Sequence, residues 1–302
     1  MPKPGARPFV IYADDFNENI GGQIALHRLC HLLNEGGYEA YLWPSRKPRQ
    51  DPARPVSSAL KRLRWWLRRK DQRLRRAPGF LTPVASPRHL RDAIVVYPEV
   101  IDNNPLNAAH VVRWLLHKPG FHTGRVNFGP DDKFFFFQAA FNDPALNPHP
   151  DNLLKTVYIR DDIYQQTNAG PRSGTCYILR KGKGRPIEHP LENSVLVDDL
   201  SHRELAAVFN RVEMCISYDT YTLYSAFAAM CGCTSVVVPQ PGMTKEDWYP
   251  DERDRYGQAW GFDDVDWARR TAPLLLPHLK AQEREANASV GQFAEKCRQY
   301  FP

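Results

Sequence analysis

Short apolar runs alternate with amphipathic stretches along most of this chain. Phe9 to Ala13 (FVIYA) is apolar or aromatic throughout, which predicts a buried strand. A polar loop, Asp14 to Gly22, follows. Ile24, Leu26, Leu29, Leu32 and Leu33 then form the apolar face of a helix over about 23–34, ended by Gly36-Gly37. Glu39 to Trp43 is the next strand, and Ala93 to Tyr97 a third that stops at Pro98-Glu99. Asn103-Asn104-Pro105 is expected to start a helix running through His117, stopped by Pro119-Gly120. Lys133 to Phe141 and Thr156 to Arg160 complete a first domain, 1–165, and Gln165 to Gly174 (QQTNAGPRSG) has the composition of a linker. A second domain, 175–276, repeats the alternation: a strand from Thr175, a helix over 202–213, a strand over 214–219, a helix over 222–232 and a strand over 234–239. A final, mostly polar helix, His278 to Tyr300 within 278–302, is expected to pack back on the first domain. The pattern predicts an α/β chain of two Rossmann-like domains facing a central cleft, a usual place for a ligand.

Composition narrows the setting. The chain has 302 residues, a net charge of +6 and six scattered cysteines. It contains no apolar span of membrane-crossing length, and its start lacks the apolar core of a signal peptide, so a reduced, cytoplasmic protein is expected. The positive charge is concentrated in a basic insertion, 46–91. Read as a helix, residues 57–76 place Leu60, Leu63, Leu67 and Leu74 on one stripe, with Trp66 at its border and cations such as Arg68 elsewhere. That pattern suits a helix lying on an anionic membrane through Leu63, Trp66, Leu67 and Arg68, at the inner face of the cell membrane. A surface helix packed on its own domain has the same pattern. The cations elsewhere form no continuous track, so nucleic acid is not expected as a partner.

Candidate chemistry sits where strands end. Met214 to Gly242 reads as strand, polar turn, helix, strand, turn, and its polar cluster Tyr218, Asp219, Thr220, Tyr221 and Thr222 falls between strand and helix. Ligands of open α/β sheets bind there, because unpaired helix N–H groups attract anions. Thr175 to Arg185 repeats the logic: Arg180, Lys181, Lys183 and Arg185 follow a β-run, loosened by Gly182 and Gly184, and suit a diphosphate. A solvated basic turn has the same composition. Gly21 and Gly22 allow close backbone approach at the first helix. Asp14 and Glu99 both follow strands of the first domain, and either is placed to accept a proton from a hydroxyl or to cap the following helix. No metal set is evident. His27 and His31 lack a carboxylate at matching spacing and read as packed histidines, and the five adjacent aspartate pairs suggest turn and cap chemistry. Trp248 to Glu252 and Arg253 to Gly257 form an aromatic, charged loop that borders a ligand or is plain surface.

These residues resemble the GT-B glycosyltransferases, whose two Rossmann-like domains bind a nucleotide-sugar donor mainly through the second. Gly21-Gly22 matches a glycine turn near the acceptor and the donor phosphates. Arg180 and Lys181 resemble the basic pair that holds the donor pyrophosphate in retaining members, and Asp219 the acidic residue before the donor-site helix. Ala228 to Gly232, then Ser235 to Pro239, resembles the segment that follows. The glutamate usual in that helix is absent: Phe227 or Ala228 stands there. The polar set 218–222 looks closest to bacterial polysaccharide and rhamnan-type transferases. The resemblance implies metal-independent transfer of a sugar from a nucleotide-diphosphate donor, itself the substrate with no further cofactor, to a glycan or lipid-linked acceptor. A non-catalytic nucleotide- or glycan-binding protein on the same fold, or a membrane-surface scaffold, are the alternatives.

Overall fold

The computed structural model describes residues 7–45, 60 and 74–302. Most of the basic stretch 57–76, including Leu63, Trp66, Leu67 and Arg68, lies outside the described residues. In chain order the elements are β1 (Phe9–Ala13), α1 (Gly21–Glu35), β2 (Ala40–Pro44), β3 (Ile94–Pro98), β4 (His110–Leu115), β5 (Lys133–Phe136), β6 (Thr175–Ile178), β7 (Ser194–Leu196), α2 (His202–Arg211), β8 (Met214–Ser217), α3 (Leu223–Met230), β9 (Thr234–Val237), a single turn α4 (Lys245–Trp248), β10 (Gln258–Trp260) and α5 (Val265–Tyr300). They form two compact units, Met1–Tyr158 with Glu283–Pro302, and Ile159–Gln282. Each is a Rossmann-like α/β unit.

The first unit carries a parallel sheet in the order β2-β1-β3-β4-β5. Its strands are buried on both faces, as their near-continuous apolar sequences require. On one face Leu26, Leu29, Cys30 and Leu33 of α1 pack with Phe293, Ala294 and Cys297 from the end of α5 and with Leu74. Leu74 is therefore a core residue rather than part of an exposed stripe. On the other face Tyr12, Trp43, Val95 and Tyr97 form a second cluster.

The second unit carries a parallel sheet in the order β10-β9-β8-β6-β7. Renumbered within each unit, both sheets follow 2-1-3-4-5, a doubly wound order whose ligand crevice opens at the carboxyl ends of the first and third strands. Those are β1 and β3 in the first unit, β6 and β8 in the second.

Four expectations are corrected. Residues 103–117 form no helix: Asn103 and Asn107 adopt left-handed backbone (φ 57° and 51°), and His110–Leu115 is strand β4. The Asn104 side chain accepts the Ala108 N–H at 3.0 Å and donates to the Ala108 carbonyl at 2.8 Å, closing a turn where a helix would begin. Val111, Val112 and Trp114 then pack as a buried strand. Thr156 to Arg160 is irregular rather than a strand. Residues 165–174 lie inside the second unit. The Asn210 side chain accepts the Thr167 N–H at 2.7 Å, and Arg172 donates to the carbonyls of Phe209 and Cys231, each at 2.7 Å. The last helix begins at Val265 and runs through Pro273 and Pro277. Each proline removes one helical N–H, yet Ala268 and Leu275 bury an apolar stripe against Val236, Ala259, Ala226 and Ala229, which offsets the loss.

Candidate functional site

At the carboxyl edge of the second sheet the chain leaves β6 through a tightly held turn. The Asp198 carboxylate accepts the Leu179 N–H at 2.9 Å and the Arg180 N–H at 2.7 Å. Arg180 sits in left-handed backbone, φ 39°, a conformation that costs a non-glycine residue about 1 kcal/mol or more. Its guanidinium lies 4.5 Å from the centre of the Tyr224 ring, in the first turn of α3. Thr222 caps that helix by accepting the Tyr224 N–H at 3.3 Å, and no acidic residue stands in its first turn. A fixed cation thus meets a helix amino terminus whose dipole favours negative charge.

Neighbouring turns lock this edge together. An added Cβ on Gly182 would lie 2.2 Å from the Tyr218 carbonyl oxygen, so only glycine fits. Arg185 donates to the Tyr218 carbonyl at 2.8 Å and to those of Val238 and Pro239 at 3.1 and 2.6 Å. Its guanidinium ties the ends of β8 and β9 rather than facing a ligand. Lys181 and Lys183 are exposed beside it.

The polar cluster divides by burial. Tyr218 continues the ladder, its N–H donating to the Ile178 carbonyl at 2.9 Å, so its side chain enters the core. The hydroxyl accepts the Glu188 N–H at 2.7 Å and pairs with His189 Nδ1 at 2.8 Å, and burial pushes its pKa up. Expected as a ligand contact, Tyr218 is a strut. Asp219 is nearly buried. Its carboxylate accepts the Tyr221 N–H at 3.3 Å, while its carbonyl accepts the Ser217 hydroxyl at 2.8 Å. Thr220 is buried as well, its carbonyl accepting the Trp248 indole N–H at 2.8 Å. Tyr221 is 51% exposed and meets Tyr249 edge-on at 6.0 Å. The aromatic loop read from the sequence therefore borders the same edge, with Trp248 stacked 4.9 Å from Trp260.

Arg180 was singled out in the sequence; Asp198 and Tyr224, the two residues that position it, were not. Asp198 belongs to an aspartate pair read as turn chemistry, the right class without the partner. Tyr224 gave no signal, since an aromatic residue on a buried helix reads as core. Phe227 and Ala228, standing where a donor-binding glutamate is usual, are both buried; Phe227 stacks on Tyr164 at 4.1 Å.

In the first unit, exposed Asp14 follows β1, and its carbonyl accepts His27 Nε2–H at 2.9 Å. Burial lowers the pKa of His27. His31 stacks on Phe80 at 4.8 Å and accepts the Leu81 N–H at 3.0 Å, so both histidines are held by packing. Among the described residues no three histidine, cysteine, aspartate or glutamate side chains gather as a metal set. Gly21 and Gly22 form the first turn of α1, whose flanking residue Ile20 supplies no side-chain cap. No atom lies within 4 Å of a Cβ built on Gly21, and only Leu116 Cδ1, at 3.7 Å, near one on Gly22. Glu99 follows β3, buried, with its pKa raised by burial; its carboxylate accepts the Leu116 N–H at 3.1 Å. All six cysteines are buried and free. No helix among the described residues is long and apolar enough to cross a membrane.

No family model matches the chain, and no curated protein does. Solved structures similar to it include a mutant of the O-GlcNAc transferase of Thermobaculum terrenum, at 14% identity over 99% of this chain and 68% of that one, TM-score 0.45. The sucrose-phosphate synthase of Thermosynechococcus elongatus is similar at 10% identity over 96% and 98%, TM-score 0.42. MurG of Acinetobacter baumannii is similar at 12% identity over 97% and 99%, TM-score 0.33. At these identities and TM-scores the likenesses carry no chemistry to this chain.

Proposed function

We propose that the second unit binds a nucleotide-diphosphate sugar at the edge of β6 and β8, and that the chain transfers the sugar to a glycan or lipid-linked acceptor. One observation carries this reading: Asp198 holds Arg180 in left-handed backbone with its guanidinium over Tyr224, at the amino end of α3. A cation that merely solvates a surface needs neither the strained backbone nor the clamp. In transfer, the bond from the sugar's anomeric carbon to the diphosphate breaks with its electron pair on the leaving oxygen. Arg180, Lys181 and the helix dipole neutralise that charge, so the reading calls for no metal. A new bond forms to the acceptor oxygen, whose proton passes to a carboxylate. In an inverting reaction Asp14, exposed after β1, would be the carboxylate that takes this proton. Tyr221 and Thr222 border the donor; Asp219 and Thr220 shape the turn beneath it.

Nucleoside diphosphate release from UDP-, GDP- and dTDP-sugars, with and without glycan acceptors, tests the proposal. Arg180→Ala should remove about 2–4 kcal/mol of transition-state stabilisation. Turnover equal to the parent's would take the arginine out of the mechanism.

A second reading, a nucleotide- or glycan-binding protein without catalysis, is favoured by the burial of Phe227 and Ala228, which leaves that helix position no polar group for a sugar. Binding without release of diphosphate in that assay would select it. On the transferase reading, an acceptor of the bacterial polysaccharide kind at an anionic membrane gives the basic segment 57–76 a purpose. Liposome flotation that survives deletion of the segment would discount that role.

A further inference from the structure

The amino edge of the second sheet, opposite the proposed donor edge, holds a cavity of about 430 Å³ whose lining lies wholly within this unit. It forms where α3 ends and β9 begins, against α5. Small residues on three elements make the space: Ala229 on α3, Gly257 before β10, and Ala268 and Ala272 on α5. Met230 and Leu276 add apolar walls. Gly257 has left-handed backbone, φ 73°, and a Cβ built on it would stand 3.1 Å from Leu275 Cδ2 and 3.2 Å from the Ala229 Cβ. The three elements thus meet in close packing beside the cavity, which fixes its shape. Among the described residues one charged side chain lines it, Arg269. Its Nε–H donates to the Thr234 hydroxyl at 3.3 Å, and it forms no ion pair.

We propose that this cavity binds a small amphipathic anion: an apolar tail enters between α3 and α5, and a carboxylate or phosphate-monoester head meets Arg269. The volume is that of a small-molecule pocket, and apolar walls with one fixed polar group are what such a guest requires. Tethered through Nε, the guanidinium keeps its two terminal NH2 groups for a bidentate contact with an anion. No acidic side chain lines the cavity, so an apolar cation finds no partner there. A gap left by imperfect packing has no need of a tethered cation without a counter-charge. The four residues of β9, roughly 13 Å, separate this edge from the proposed donor edge. The assignment does not depend on the proposed function.

Calorimetric titration of the full chain with octanoate and with octyl phosphate tests it, with octanol and octyltrimethylammonium as probes of the same tail without the negative charge. At least one of the two anions should bind one to one, and the tighter of them identifies the head group. Octanol should bind roughly 10-fold more weakly and the cation not at all. Arg269→Gln, at an exposed helical position, removes the charge and should weaken the anion roughly 10-fold, with octanol unchanged. Ala272→Leu, at a half-buried position of the same helix, fills the space and should weaken anion and octanol alike, roughly 10-fold or more. Anion binding should be the same in Arg180→Gly as in the parent. Binding of neither anion, or equal binding in Arg269→Gln, overturns the site even if Ala272→Leu fails to fold. Loss of the anion in Arg180→Gly would place it on the donor edge and overturn the site as well. A failure to bind nucleoside diphosphate, measured separately, counts against the proposed function and leaves this cavity standing.

Discussion

Gly182→Ala is the sharpest test of how the proposed donor edge is built. The added methyl would lie 2.2 Å from the carbonyl oxygen of Tyr218 and 2.5 Å from its carbon, both backbone atoms. Ordinary contact requires more than 3 Å, so the turn after β6 and the turn after β8 must part by roughly 1 Å. Neither yields freely. Asp198 holds the first through two N–H groups, and Arg185 holds the second by donating to the Tyr218 carbonyl. Overpacking of this kind costs about 1–3 kcal/mol, and backbone on both sides of the clash favours the upper end. At roughly 2–4 °C per kcal/mol, the melting temperature should fall by about 5–10 °C. The same displacement lifts Arg180 off Tyr224, so nucleoside diphosphate binding should weaken even well below the melting transition. Circular dichroism melts and calorimetric titration read the two effects separately. A variant that melts and binds like the parent would refute the idea that contact between these turns fixes the site.

Other expectations follow from the same geometry. Arg185→Lys keeps the charge but cannot span three carbonyls, and should cost about 2 kcal/mol of stability by chemical denaturation. Gly21→Ala meets no atom within 4 Å and replaces glycine in a helix. It should gain up to about 1 kcal/mol in stability while lowering transfer activity, if the backbone there approaches substrate. Burial lowers the pKa of His27, His31 and His189. A lowered folded-state pKa means that the unfolded chain takes up the proton first, so this stability is complete above about pH 6.5 and lost as pH falls through the folded-state values. Melting temperature should therefore drop between about pH 7 and pH 5, less steeply in His27→Gln.

Continuous apolar runs made β1, β3, β6, β8 and β9 legible, because strands covered on both faces cannot afford polar residues. Helices α1, α2 and α3 were legible from their spacing and stops. Residues 103–117 were not, because Asn103-Asn104-Pro105 reads equally as a helix start or as the turn it makes once Asn104 bonds to Ala108. Strand β4 also hides a buried cation: Arg113 is fully enclosed, 2.6 Å from Asp132, and also donates to the Ile101 and Asn103 carbonyls. Nothing local in the sequence distinguishes that arginine from an exposed one. The second unit's edge was legible in outline, since strand ends followed by cations or hydroxyls need no tertiary knowledge. Which of those side chains face outward was not. Tyr218 turns inward because the ladder extends one residue past the strand, and Arg185 turns inward to meet three carbonyls.

The most direct measurement is calorimetric titration of the full chain with UDP, GDP and dTDP, for the parent and for Arg180→Gly. Glycine adopts φ 39° without strain, which offsets the lost stacking on Tyr224, so the variant should fold as stably as the parent. If this guanidinium holds the diphosphate, one nucleotide will bind the parent and bind the variant roughly 10- to 100-fold more weakly. Equal affinity in the two proteins, or no binding to the parent, would contradict the account.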